Sequence, residues 1–148
     1  MKKSILATSL ALIIGGGALF AQQKEKKMKT EVPTTVLIAF HKDYPQVKNV
    51  DWDAEDGVYE ADFKLNKQEI SVTYSANGQK QETETEIQVN QLPPNAKAYI
   101  LKNNLGKIKE AAKIVNADGT ITYEAEVKKG DVMFDQNGNF LKLKEDND

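Results

Sequence analysis

Residues 58–78, VYEADFKLNKQEISVTYSANG, decide the fold. Tyr59, Ala61, Phe63 and Leu65 alternate with Glu60, Asp62 and Lys64, and Ile70, Val72 and Tyr74 alternate with Glu69, Ser71 and Thr73. A period of two marks a strand with one buried face. Asn77-Gly78 closes the stretch with a dipeptide suited to a tight hairpin turn. Downstream, Thr83, Thr85, Ile87 and Val89 alternate with Glu82, Glu84, Glu86 and Gln88. Upstream, a strand through Val50 and Trp52 turns at Asp56-Gly57, and before it TTVLIAFHKDYP sets Val36, Phe40 and Tyr44 on one helical face. Pro33 opens that helix at its first position, where a missing N–H is tolerated, and Pro45 stops it. The expected unit is one helix followed by four antiparallel strands, over residues 31–90. Trp52 shares parity with Val50 and is expected to be largely buried beneath the helix near Phe40 and Tyr44.

The unit is then written a second time. Val32-Pro33 recurs as Leu92-Pro93, and Val72-Thr73-Tyr74 with Asn77-Gly78 recurs as Val132-Met133-Phe134 with Asn137-Gly138, a displacement of 60 positions (132 − 72). Tyr59-Glu60-Ala61-Asp62 returns as Tyr123-Glu124-Ala125-Glu126, displaced by 64 (123 − 59), so the length changes fall in turns. Residues 91–148 therefore predict a helix carrying Ala96, Tyr99, Ile100 and Asn103 and ended at Gly106, an Asp118-Gly119 turn, and strands at Tyr123 to Val127, Val132 to Phe134 and Phe140 to Leu143. The fold class is α+β: two tandem units of a helix and a four-stranded antiparallel sheet, with the helices packed on one sheet face.

Ahead of the repeats, MKKSILATSLALIIGGGALFAQQ has the order of a cleavable secretory signal: Lys2 and Lys3, an apolar run from Ile5 to Phe20, then the small Ala21. The run holds Gly15-Gly16-Gly17 and is shorter than the roughly 20 apolar residues of a spanning helix. Residues 1–21 read as a leader and 22–30 as a lysine-rich spacer, giving an exported chain, periplasmic or secreted, with no membrane span after cleavage. No cysteine is present, which excludes lipid attachment at a leader cysteine, disulfides and thiolate metal sites. Past the leader, 18 lysines face 22 carboxylates, a net charge of −4, and no arginine supplies the planar fork that grips phosphates. Nucleic acid is disfavoured by sign and by chemistry.

The ordered set Val32-Pro33, Ala39-Phe40, Tyr44-Pro45, Val50-x-Trp52, Tyr59-x-Ala61-x-Phe63, Tyr74 and Asn77-Gly78 resembles the PepSY-like domain of β-lactamase-inhibitor-like exported bacterial proteins, over about residues 31 to 146. In the second copy Asn104-Leu105 stands for Tyr-Pro, and Lys113 or a neighbour for Trp. The resemblance implies a non-enzymatic exported protein, similar in architecture to an inhibitor that grips its target with a concave sheet. It supplies no binding residues for this chain.

Conventional catalysis finds no apparatus in the sequence. Past the leader there are one histidine, His41, and two serines, Ser71 and Ser75, neither in a nucleophile-elbow motif. One histidine without cysteine does not make a zinc site. Asp51 to Gly57 has the flavour of a calcium loop, but its glycine falls one place late and a hairpin is the simpler reading. No cofactor is expected. If the apolar positions face the helices, the opposite sheet face carries Glu60, Asp62, Glu69, Glu82, Glu84, Glu86, Glu124, Glu126 and Asp131, with Lys64, Lys142 and Lys144 among them. That face is the candidate binding surface for a protein or peptide with a basic patch, and Glu84 and Glu126 are expected to be exposed on it. The alternative is a structural or envelope-accessory protein whose sheet is merely solvated.

Overall fold

The strands begin and end where the period-two pattern meets residues that tolerate positive φ. In the computed structural model, which describes residues 31–145, the chain runs α1 (Thr34–Asp43), β1 (Asp51–Glu55), β2 (Val58–Leu65), β3 (Gln68–Ser75), β4 (Lys80–Ile87), a 3₁₀ turn (Val89–Gln91), α2 (Pro94–Lys102), β5 (Glu110–Asn116), β6 (Ile121–Val127), β7 (Gly130–Asp135) and β8 (Phe140–Glu145). The leader and the spacer lie outside the described residues. Asp56 (φ 51°) and Gly57 (φ 79°) form a two-residue hairpin loop between the paired Glu55 and Val58, the geometry that matches the twist of the flanking strands. The stretch weighed above as a calcium loop is thus a strand and its turn, and Asp51 and Asp53 stand two residues apart along an extended backbone instead of converging on a point.

All eight strands join in one sheet in chain order, each antiparallel to its neighbours. The halves meet at β4 and β5, where Thr83 pairs with Val115, Glu84 with Ile114 and Ile87 with Ala111. The strands of both halves thus form a single surface, because the 3₁₀ turn and α2 return the chain alongside β4.

Both helices lie on the same face. Val36 and Phe40 of α1 are fully buried against Ala61 and Phe63 of β2 and Val72 and Tyr74 of β3. Leu92, with Ala96 and Ile100 of α2, packs on Ala111, Ala125, Val127, Val132 and Phe134. Burying each large apolar side chain contributes roughly 1.5–3 kcal/mol. Pro33 stands one residue ahead of α1 instead of at its first position, its carbonyl accepting from the amides of Val36 and Leu37. Trp52 meets Phe40 edge-on at 5.3 Å, yet it is half-buried instead of largely buried, because β1 is an edge strand and leaves one flank of the indole uncovered.

The two Asn-Gly turns are docked on the helix starts. A Cβ at Gly78 (φ +82°) would meet the Thr35 carbonyl oxygen at 2.7 Å, and one at Gly138 (φ +80°) would meet the Ala96 amide nitrogen at 2.8 Å. Thr35 Oγ1 donates to the Ala76 carbonyl at 2.7 Å, and Asn95 Nδ2 to the Asn137 carbonyl at 3.0 Å. Register shifts fall at Thr73/Tyr74 and Met133/Phe134, again 60 positions apart (133 − 73).

Candidate functional site

Strand pleating sends alternate residues to opposite faces, so the pairing registers define what lies on the face without helices. One row across it reads Asp62, Ser71, Glu84, Ile114, Thr122, Asp135. A second reads Glu86, Ala112, Glu124, Met133, Lys142. Others hold Asp53, Glu60, Thr73 and Glu82, or Glu110, Glu126, Asp131 and Lys144, and Lys64 stands opposite Glu69. All nine carboxylates singled out from the sequence lie on this one face.

They are not equivalent. Lys109 Nζ reaches Glu126 at 2.8 Å, Lys64 reaches Glu69 at 3.1 Å, and Lys144 lies 3.8 Å from Glu124. Lys109 lies one residue ahead of β5, next to Glu110, which stands opposite Glu126. Glu60 is only 5% exposed and accepts a hydrogen bond from Ser71 Oγ. Glu84 is mostly buried instead of exposed: burial first, then the charges of Glu124, Glu82 and Glu60, push its carboxyl up to about 8, with Lys144 pulling the other way. At neutral pH this carboxyl therefore holds its proton, and the face carries one charge fewer there than its sequence suggests.

Sequence reading also missed the middle of the face. Ala112, Ile114 and Met133 are only 5%, 4% and 6% exposed although they lie on the face opposite α1 and α2. Ile114 and Met133, with Leu141, floor a concavity of about 250 Å³ walled by Glu82, Glu84, Glu124, Lys142 and Lys144. The signal for it was present in EAAKIVN, residues 110–116, where apolar residues occupy both parities as in a strand interior to a sheet.

Elsewhere the chemistry is structural. Asp118 accepts from the amide and hydroxyl of Thr120, and Asp135 from Asn137 and Asn139; these bonds hold both carboxyls below the usual range and close turns. His41 is exposed, its ring edge-on to Phe40 at 5.7 Å. The Tyr74 hydroxyl is buried beneath α1 without a hydrogen-bond partner, and burial, followed by the charge of Asp43, raises its pKa. Among the described residues no group of three or more histidine or carboxylate side chains is arranged to hold a metal, and no helix is long and apolar enough to cross a membrane.

A pair of helices on one face of an antiparallel sheet, with an acid-walled and apolar-floored opposite face, defines a helix-on-sheet α+β protein. The chain belongs to the family described as "Putative beta-lactamase-inhibitor-like, PepSY-like", which matches residues 21–81 and 57–142. Solved structures share the fold at low identity. A BLIP-like protein of Bacteroides fragilis is 23% identical with a TM-score of 0.63, covering 78% of this chain and 87% of its own. A protein of Bacteroides eggerthii, one of its "putative periplasmic proteins", is 18% identical with a TM-score of 0.70, covering 78% and 90%. A DUF2874 family protein of Bacteroides uniformis is 18% identical with a TM-score of 0.69 over the same shares. None of the curated proteins matches the chain.

Proposed function

We propose that this chain is an exported, non-catalytic binding protein that holds a basic segment of another protein on the open face of its sheet. One observation carries the reading: apolar residues Ala112, Ile114 and Met133 lie in the middle of that face with carboxylates around them. A solubilising surface has no need of an apolar floor, whereas a recognition surface combines a desolvated centre with a charged rim. The rim residues are Glu60, Asp62, Glu69, Glu82, Glu84, Glu86, Glu124, Glu126 and Asp131. Inhibitor-like and periplasmic descriptions among its relatives agree with this role and with export. The chain is organised as a leader over 1–21, a spacer over 22–30 and duplicated units over 31–90 and 91–148. Mass spectrometry of the exported protein should find Gln22 at or near its start.

Titration with a synthetic oligolysine peptide tests the surface. Binding should weaken as salt rises, since exposed charges are screened beyond about 8 Å at physiological ionic strength. Glu82→Lys with Glu86→Lys should weaken it further while the melting temperature changes little. Binding indifferent to both changes would make the face a solvated wall and favour an envelope-accessory role.

A further inference from the structure

The duplication makes the joint between β4 and β5 a step from the end of one unit to the start of the next, and β8 and β1 are the equivalents of those two strands, left at the edges of the sheet. Strand count permits the step to be repeated. With eight strands alternating in direction, β8 runs antiparallel to β1, so β1 of a second copy can add to β8 with the helix faces on the same side.

The side chains at the two edges differ in sign. Where β4 carries Glu82 and Glu84 on the open face, β8 carries Lys142 and Lys144, 60 positions on, facing the equivalent residues of the preceding strand. Edge β1 presents Asp51, Asp53 and Glu55 on that face and Trp52 on the other. Face-aligning registers that keep Lys144 within the span of β1 set it opposite Asp51, Asp53 or Glu55, and bring Trp52 towards β8 on the helix side, where Leu143 lies. Pairing β8 with β8 would instead oppose lysines, and pairing β1 with β1 would oppose carboxylates, both unfavourable for directly opposed side chains.

We propose that a second copy of this chain is a partner of the sheet edge: β8 of one copy adds to β1 of the next, head to tail, through Lys142 and Lys144 on the carboxylates of β1. This goes beyond the open-face reading and does not depend on it. The contact is heterologous, so it continues into open chains or closes a ring instead of stopping at a two-fold dimer. It also covers the uncovered flank of Trp52.

Sedimentation velocity of the chain from Gln22 onward, at low salt and over a range of concentrations, tests this. The average mass should rise continuously with concentration while Trp52 emission shifts to shorter wavelength. Lys142→Glu with Lys144→Glu should weaken self-association about tenfold or more, as should Asp51→Lys with Asp53→Lys and Glu55→Lys. An equimolar mixture of the two variants should associate again, because each then offers an edge that fits the other. The single change Lys142→Glu breaks none of the ion pairs described above and serves where a multiple variant fails to fold. A wild-type chain that stays monomeric would show that the edge charges only block pairing, and would overturn the proposal. A mass that stops at the dimer, or variants that associate as the wild type does, would overturn it equally.

Discussion

The two halves solve the same packing problem with different side chains. Beneath α1 the core is aromatic: Phe40 meets Tyr44 at 5.5 Å and both Trp52 and Phe63 at 5.3 Å. Beneath α2 it is mainly aliphatic, with Tyr99 and Phe140 stacked at 4.6 Å towards its edge. The registers show where the exchange falls. Trp52 pairs with Ala61, and the copy of Ala61, Ala125, pairs with Ala111, so Ala111 and not Lys113 stands in the place of the tryptophan. On the other face Asp53 and Glu55 are matched by Ala112 and Ile114. A strand at the sheet edge needs a broad ring to close its core sideways and charges to face water. The same strand placed in the interior has neighbours on both sides, and small apolar residues suffice.

The largest expected effect follows from this difference. Phe40→Ala empties the centre of the aromatic cluster and should cost about 3–5 kcal/mol, measured by urea unfolding. An effect no larger than that of an exposed-site change would show that the first half does not depend on its ring contacts. Next comes Glu84, which exists in its buried form only because β5 lies beside β4. Its carboxyl is raised from 4.5 to about 8, so the folded chain holds a proton that the unfolded chain releases. Stability should therefore fall as pH rises through the window from about 4.5 to about 8, and level off above it. Glu84→Gln should remove that slope and stabilise the protein by roughly 2–4 kcal/mol at higher pH. Unfolding midpoints with the same pH slope in both proteins would place the carboxyl in water.

How much of this was legible in the sequence depends on how many sides of a strand are covered. Strands β2, β3 and β6 were readable because one face meets a helix and the other does not, which writes a period of two into YEADFKL and TYEAEV, and β7 because Val132-Met133-Phe134 recurs 60 positions after Val72-Thr73-Tyr74. Strand β5 was not, since EAAKIVN is apolar on both faces. The burial of Glu84 was equally hidden: its partner on β5 is Ile114, 30 positions on (114 − 84), and no local pattern announces which strand will lie alongside. For the same reason the alternation brings the nine carboxylates onto one face, while the apolar floor between them was not foreseen.

Smaller effects sharpen the comparison by asking where the halves are alike. Gly78→Ala and Gly138→Ala should each cost about 1–3 kcal/mol, since both combine positive φ with close contact at a helix start. Thermal melts giving very unequal losses would show that the turns are not equivalent. Smallest is Tyr74→Phe, which removes a buried hydroxyl that has no partner. Stability should stay level or rise by about 1 kcal/mol. A clear loss would reveal a partner for that hydroxyl, such as an internal water.

The docking of each Asn-Gly turn on a helix start has a consequence for the order of events in folding. Thr35 and Ala76 are 41 positions apart in the chain, and Asn95 and Asn137 are 42 apart. A helix therefore gains this seat only after the hairpin that follows it, at the far end of its own unit, has formed. Such non-local closure slows a fold and binds its parts into one cooperative step. On the ribosome, α1 would have no seat until residue 78 had emerged, and could then dock while the second unit was still being made. Each copy of the repeat would thus complete itself by its own clasp before the next strand of the common sheet is laid down.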